Sequence, residues 1–309
     1  MQIYKTLILP VLMFIQILTA WEFAISIFII LTSTIQQIQY ITNMIDFIRQ
    51  LFNYTEILNN IEVIDTWPLM GSPGPMLCII STYLIFVLKV GPKMMEKKPP
   101  FQLKTVIILY NAFQVLFNTW LTYLIFSFII KYKHLYFPYG CNFYSLHDAE
   151  AKRTQLVLLQ GGYWYFFAKV IELLDTVFFV LRKKQYQVTF LHVYHHTLMA
   201  TFSWCCLKLL LGEQAIVVGF LNSIVHVILY IYYFIAALGS KYRKYLWWKK
   251  YMTLIQLLQF ALMLVYLMLT LAMNCQSSKI LTYFFTMNVI IFIYLFSDFY
   301  RKSYKTKVQ

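Results

Sequence analysis

Apolar residues run in long continuous stretches along this chain, and short polar or basic loops separate them. A helix needs about 20 apolar residues in succession to cross a bilayer. That pattern predicts spans near 76–91, 105–130, 155–180, 188–211, 214–238, 252–273 and 279–300, the first of them short. The stretches do not alternate apolar with polar, which argues against a transmembrane β-barrel. The expected architecture is an all-α integral membrane protein with a seven-transmembrane-helix bundle. Its predicted divisions are an apolar N-terminal extension (1–43), a luminal segment (44–75), the seven-span domain (76–300) and a basic tail (301–309).

Composition sharpens this picture. Hydrophobic residues make up 61% of the 309 residues and charged residues 12%. Soluble domains hold roughly 45–50% and 25%, so a soluble globule of this size has no room to bury such a chain. The five cysteines form no CxxC pair and no metal-binding spacing, and most fall in apolar runs as packing residues. Cys141, in a polar loop, is free to pair in an oxidising lumen.

The net charge of +14 suggests nucleic acid until its location is examined. The basic residues sit in short loops between spans, as topology signals do, so no nucleic-acid partner is expected. Seventeen occupy the loops and flanks after the first, third and fifth spans and the C-terminal tail, against six in the alternate loops. The positive-inside rule makes the richer side, and the C-terminus, cytosolic. Asn53-Tyr54-Thr55, a glycosylation sequon, then falls on the luminal side. Residues 1–43 read equally as a signal sequence, an eighth span or a mispredicted start before Met44. Lys305 and Lys307 give the tail a KxKxx ending, a retrieval address for the endoplasmic reticulum or an ordinary basic stop.

Ionisable groups in a bilayer cost several kcal/mol each, so each is a functional candidate. The third span carries Lys169, Glu172, Asp175 and Thr176 along one face. A structural Lys169–Glu172 ion pair is the plainer reading, and it leaves Asp175 unexplained. The fourth span opens with His192-Val193-Tyr194-His195-His196, whose spacing gathers three imidazoles on one side. They suit a metal ligand set, a base or a nucleophile. The fifth span aligns Asn222, His226, Tyr230 and Tyr233, and the sixth Thr253, Gln256 and Gln259. For the sixth, hydrogen bonding between helices is the plainer reading. All four clusters fall in the cytosolic halves of their spans, while the luminal halves are almost wholly apolar. This describes a polar chamber with an apolar extension fit for an acyl chain. Arg182, Lys183, Lys184, Lys249 and Lys250 form a basic rim suited to the phosphates of a carrier such as coenzyme A.

The ordered motifs Lys169-Val-Ile-Glu172-Leu-Leu-Asp175-Thr176, His192-Val-Tyr-His195-His196, Asn222-Ser-Ile-Val-His226-Val-Ile-Leu-Tyr230-Ile-Tyr-Tyr233 and Thr253-Leu-Ile-Gln256-Leu-Leu-Gln259 resemble the signatures of the ELO family of fatty-acid elongases. Trp67-Pro68-Leu69-Met70 and Leu181-Arg182-Lys183-Lys184 are similar to it as well, and the resemblance runs from about residue 65 onward. Ala200 stands where the family typically has proline, Leu229 where Met is frequent and Asp298 where Asn is common.

The resemblance implies a 3-ketoacyl-CoA synthase of the endoplasmic reticulum, multi-pass, with six of seven helices around a closed-ended acyl tunnel. It condenses a long-chain acyl-CoA with malonyl-CoA to 3-oxoacyl-CoA, CO2 and CoA, the substrates being the only small molecules required and no cofactor expected. It implies His195 as an acyl-accepting nucleophile facing His226, with His192 and His196 beside them. Asn222, His226, Tyr233 and Gln256 are candidates for stabilising an enolate. Glu172 or Asp175 is expected to fix a histidine tautomer, and Lys169 to balance the carboxylates. Tyr230 and Gln259 are expected to support the site. The reductase and dehydratase of the elongation cycle are expected partners.

Two rival readings remain at this point. An HxxHH membrane desaturase or hydroxylase with one or two metals is disfavoured: of six histidines, His134 and His147 fall in the luminal loop. A seven-span receptor or transporter is disfavoured by nine glycines in all and no visible repeat.

Overall fold

The structure, a computed structural model, describes residues 63–139, 149–210, 215–272 and 279–305. Residues 1–43, the sequon at Asn53, Cys141, Cys275, His147 and Lys307 lie outside the described residues.

The described elements are helical. They are α1 (Pro73–Ile85), α2 (Gly91–Met95), α3 (Lys104–Tyr139), α4 (Ala149–Glu172), α5 (Leu174–Leu181), α6 (Phe190–Leu210), α7 (Ala215–Leu238), α8 (Lys249–Ala272) and α9 (Lys279–Tyr300). A wide turn of helix, Phe86–Val90, joins α1 to α2. Its cause is local: Pro92 lacks the N–H that a regular helix would direct back one turn. Gly91 lets this joint approach α5, since a Cβ there would stand 2.7 Å from both Phe86 O and Val180 Cγ1. Only Leu173 separates α4 from α5. The helical rods therefore follow the sequence-predicted spans closely.

Five stretches are long and apolar enough to cross a membrane: Pro73–Met95, Lys104–Lys131, Ile216–Leu238, Lys244–Ala272 and Thr282–Tyr304. The protein is a multi-pass membrane protein. The rod α4–α5 and helix α6 are not among the five. They are the two that carry Lys169, Glu172 and Asp175, and the three clustered histidines.

Helix α7 packs most extensively on α3 and also on α8, α8 on α9, and α4 on α6. One apolar core, Phe202, Cys206, Val218, Phe260, Met263, Leu267, Phe285, Val289 and Phe292, draws on α6, α7, α8 and α9. A smaller one, Ile125, Phe128, Leu158 and Ile216, joins α3, α4 and α7.

At one end of the bundle, α5 stops in a paired backbone turn. The Lys183 N–H bonds to Val180 O, the Lys184 N–H bonds to Phe179 O, and Lys183 takes a left-handed φ of 54°. The Lys183 ammonium then donates to Glu96 O (3.1 Å) and Lys98 O (3.0 Å), and the Phe101 N–H donates to Leu181 O (3.1 Å). Two loops at this end are thus sewn together. At the opposite end, residues 63–72 dock on α6 and α4. Lys208 pairs with Asp65 and donates to Met70 O, Trp204 Nε1 donates to Leu69 O (2.9 Å), and the Trp67 ring meets Tyr163.

Candidate active site

The polar faces predicted on α4–α5, α6 and α7 converge. Lys169 Nζ lies 2.9 and 3.0 Å from the two oxygens of Glu172, and each side chain is 1% exposed. Glu172 Oε1 also stands 3.0 Å from His226 Nδ1, at ion-pair distance. One carboxylate therefore serves both an ammonium on its own helix and an imidazole on α7. The Lys169 ammonium also sits 4.8 Å from the centre of the Tyr165 ring.

The carboxyl of Asp175 has a different partner. Tyr230 OH donates to its Oδ2 at 2.7 Å. The Tyr110 ring lies 6.1 Å from that of Tyr230, and Gln114 Nε2 donates to Tyr110 OH (3.0 Å). The hydroxyls of Thr176 and Tyr83 lie 2.7 Å apart, tying α5 to α1. Of the two carboxylates considered for fixing a histidine, Glu172 is the one beside an imidazole.

The histidine box forms a stack. The rings of His192 and His196 lie 4.3 Å apart, and those of His195 and His196 lie 5.5 Å apart and nearly perpendicular. His192 Nε2 is buried without a hydrogen-bond partner among the described residues. His195 meets Phe292 of α9 edge-on at 5.1 Å.

His195 also opens onto a cavity, together with Asn222, Gln259 and Asn288 and apolar side chains of α6, α7, α8 and α9. The carbonyl of the Asn222 side chain accepts from Tyr165 OH at 2.9 Å, which leaves its amide N–H groups to face other partners. Gln259 Nε2 stands 3.8 Å from the Met263 sulfur. Tyr233 lies behind Tyr230, with ring centres 6.0 Å apart. Neither Tyr233 nor Gln256 lines the cavity.

Of the basic rim, Lys183 is engaged with the carbonyls of Glu96 and Lys98. Lys184 lies over the ring of Tyr186 and Lys250 over that of Tyr251. Arg182 and Lys249 flank them at the same helix ends. Among the described residues, no group of three or more His, Cys, Asp or Glu side chains is arranged to hold a metal ion.

Sequence comparison decides the family. The profile of the GNS1/SUR4 family, ELO, matches residues 68–309. The chain belongs to the ELO family. This ELO chain is 41% identical over 241 residues to very long chain fatty acid elongase 7 of Drosophila melanogaster, covering 77% of the chain and 71% of that protein. It is 41% identical over 246 residues to very long chain fatty acid elongase 4 of Homo sapiens, covering 78% and 75%. A very long chain fatty acid elongase of Aedes aegypti is 38% identical over 241 residues, covering 77% of this chain, which spans 65% of that relative's length. The ELO match includes the four motifs on α4–α5, α6, α7 and α8.

Asn288 and Tyr194 were not singled out by spacing. Tyr194 OH donates to Asn288 Oδ1 at 2.8 Å, and Asn288 Nδ2 donates to Phe284 O at 2.8 Å. An asparagine inside the apolar run of α9 was the available signal, because such a group is costly in lipid without a partner.

Proposed function

We propose that this protein is the condensing enzyme of very long chain fatty acid elongation, a 3-ketoacyl-CoA synthase using acyl-CoA and malonyl-CoA. The observation that carries the reading is the position of His195: its imidazole stands at the polar head of a cavity whose remaining walls are almost wholly apolar. An acyl chain suits those walls, and the thioester then meets the imidazole.

In this reading an imidazole nitrogen of His195 attacks the thioester carbonyl. The C–S bond breaks, CoA leaves as the thiol after taking the proton that the imidazole sheds, and an acyl-imidazole remains. Malonyl-CoA then loses CO2 as its C–C bond breaks, and the resulting enolate carbon attacks the acyl carbon. The imidazole leaves as its anion, takes a proton from solvent to return to the neutral ring, and 3-oxoacyl-CoA forms. In this reading the Asn222 amide, which lines the same cavity, donates to the developing oxyanion. Glu172 orients His226 and balances it with Lys169. His196 packs against the ring of His195, and His192 backs His196. Tyr230 holds Asp175 and supports the wall behind them.

Arg182, Lys184, Lys249 and Lys250 form the phosphate rim in this reading, while Lys183 shapes the mouth. The seven rods cross the endoplasmic reticulum membrane around an acyl tunnel, with the lysine-rich loops and C-terminus cytosolic. The reductase and dehydratase of the cycle act on the product. No bound metal or cofactor takes part, so turnover should survive chelation.

The test is incubation of purified protein with acyl-CoA alone. The expected result is release of free CoA and an acyl adduct on His195, both abolished by His195→Ala. A CoA burst from the His195→Ala protein, or an adduct on another residue, overturns the assignment. If CoA leaves only after malonyl-CoA is added, the two-step scheme fails, and the histidines act as acid–base groups.

A further inference from the structure

The Tyr165 ring of α4 is set against α7. It lies beside Gly219, where a Cβ would stand 3.7 and 3.8 Å from its Cδ2 and Cε2. One turn along α7 is Asn222, a buried residue on the cavity that His195 opens onto. The Tyr165 hydroxyl donates to Asn222 Oδ1 at 2.9 Å. One turn along α4, Lys169 holds its ammonium over the same ring, 4.8 Å from its centre. Tyr165 lies outside the four sequence motifs, yet it is the hydrogen-bond partner of a cavity residue.

A phenol can bond to a primary amide in two senses. As a donor it engages Oδ1 and leaves the Nδ2 hydrogens to the cavity side. As an acceptor it takes a hydrogen from Nδ2 and turns Oδ1 toward the cavity, where a carbonyl oxygen repels a developing oxyanion. Lys169 favours the first sense. A cation over the ring face draws on the electron density of the phenol, which makes the hydroxyl a better donor and a poorer acceptor. The same ammonium pairs with Glu172, which stands beside His226. One lysine therefore serves both the imidazole side and the amide side of the site.

We infer that Tyr165 is a positioning residue, which holds the Asn222 amide with its N–H groups toward the thioester carbonyl. It touches no reacting atom itself. This rests on the reading of the cavity as the acyl site.

Tyr165→Phe keeps the ring, its contact with Gly219 and its cation, and removes only the hydroxyl. Losing one preorganised oxyanion donor slows acyl transfer by about 10²–10³-fold, so Asn222→Ala should slow the CoA-release burst by about that factor. In Tyr165→Phe the donor remains but is no longer held, and the burst should slow by a smaller factor, about tenfold. KM for acyl-CoA should change less than the burst rate. The double variant should be no slower than Asn222→Ala alone, because Tyr165 acts through that amide.

A second measurement needs no turnover. The probe is a long-chain acyl-CoA analogue with a methylene in place of the thioester sulfur, isotope-labelled at its carbonyl carbon. No acyl group can leave from it, and its infrared carbonyl stretch falls when a donor bonds to the oxygen. Asn222→Ala should raise that stretch relative to wild type, and Tyr165→Phe should raise it part or all of the way. The double variant should match Asn222→Ala. A purely structural Tyr165 would lower the unfolding temperature and leave the stretch at its wild-type value, which overturns the proposal. So does an Asn222→Ala stretch equal to wild type, or a double variant slower than Asn222→Ala by the full Tyr165→Phe factor. If the wild-type protein releases no CoA from acyl-CoA alone, the acyl-histidine reading fails, while the bound analogue still decides whether Tyr165 holds the amide.

Discussion

Tyr230 donates its phenolic proton to the carboxyl of Asp175 at 2.7 Å, linking α7 to α5 inside the bundle. Asp175 was the group that a simple Lys169–Glu172 pair left unexplained. Tyr230→Phe keeps the ring and removes this donor. A hydrogen bond contributes about 0.5–1.5 kcal/mol net, so this variant should unfold at a lower temperature. Replacing both groups, Tyr230→Phe with Asp175→Leu, should cost less than the sum of the single changes. Additive single effects in detergent-solubilised protein would show that the two side chains are not coupled.

Glu172 lies between the Lys169 ammonium and the His226 imidazole. Removing one side of a buried pair strands the other, at about 3–5 kcal/mol, while an apolar replacement of both is far better tolerated. Lys169→Met and Glu172→Leu should each destabilise strongly, and the double variant should recover most of the loss. Catalysis should not return with it, since His226 then lacks the carboxylate beside its Nδ1. A double variant as stable as wild type and equally fast in CoA release would make the triad purely structural.

The motif faces were legible in the sequence because helical spacing fixes which side chains share a face. That logic placed Lys169, Glu172 and Asp175 together, and His192 with His195 and His196. It does not reveal which face meets which neighbour. Gln256 and Gln259 share a face of α8, yet only Gln259 lines the cavity. Nor does spacing reveal partners far apart in the chain, such as Asp65 with Lys208 or Tyr83 with Thr176. Lys183 read as one more rim lysine, because its left-handed backbone is a position where glycine is the usual residue.

Lys183 therefore carries its own prediction. Its backbone occupies a region that costs a side-chain-bearing residue roughly 1–2 kcal/mol. Its ammonium offsets this by binding Glu96 O and Lys98 O. Lys183→Ala loses those bonds and keeps the strain, whereas Lys183→Gly loses the bonds and relieves it. The Gly variant should be the more stable by about 1 kcal/mol. In both, amide exchange at residues 96–101 should accelerate, because the loop loses its tether. Equal stability of the two variants, with protection at 96–101 intact, would remove the clip from the account.

Tyr194, next to His195 in the chain, and Asn288 form a contact that is independent of the charged cluster. Tyr194 OH donates to Asn288 Oδ1, and the Asn288 amide is fixed in turn by Phe284 O. One turn along α9, Phe292 packs on both the Tyr194 ring (5.7 Å) and the His195 ring (5.1 Å). The hydrogen bond thus sets the register of α9 on α6, and that register holds Phe292 against His195. Interhelical hydrogen bonds in membranes contribute only about 0.6 kcal/mol on average, so Tyr194→Phe should barely change the unfolding temperature. Catalysis is more sensitive, since a 1 Å misplacement can cost about 10²-fold. Tyr194→Phe and Asn288→Leu should each slow the CoA-release burst by at least about tenfold, within that range. The double variant should be no slower than either, because both changes break the same contact. KM for acyl-CoA should change less than the burst rate, as the apolar walls remain. Burst rates equal to wild type, or multiplicative losses in the double variant, would show that this contact does not position His195.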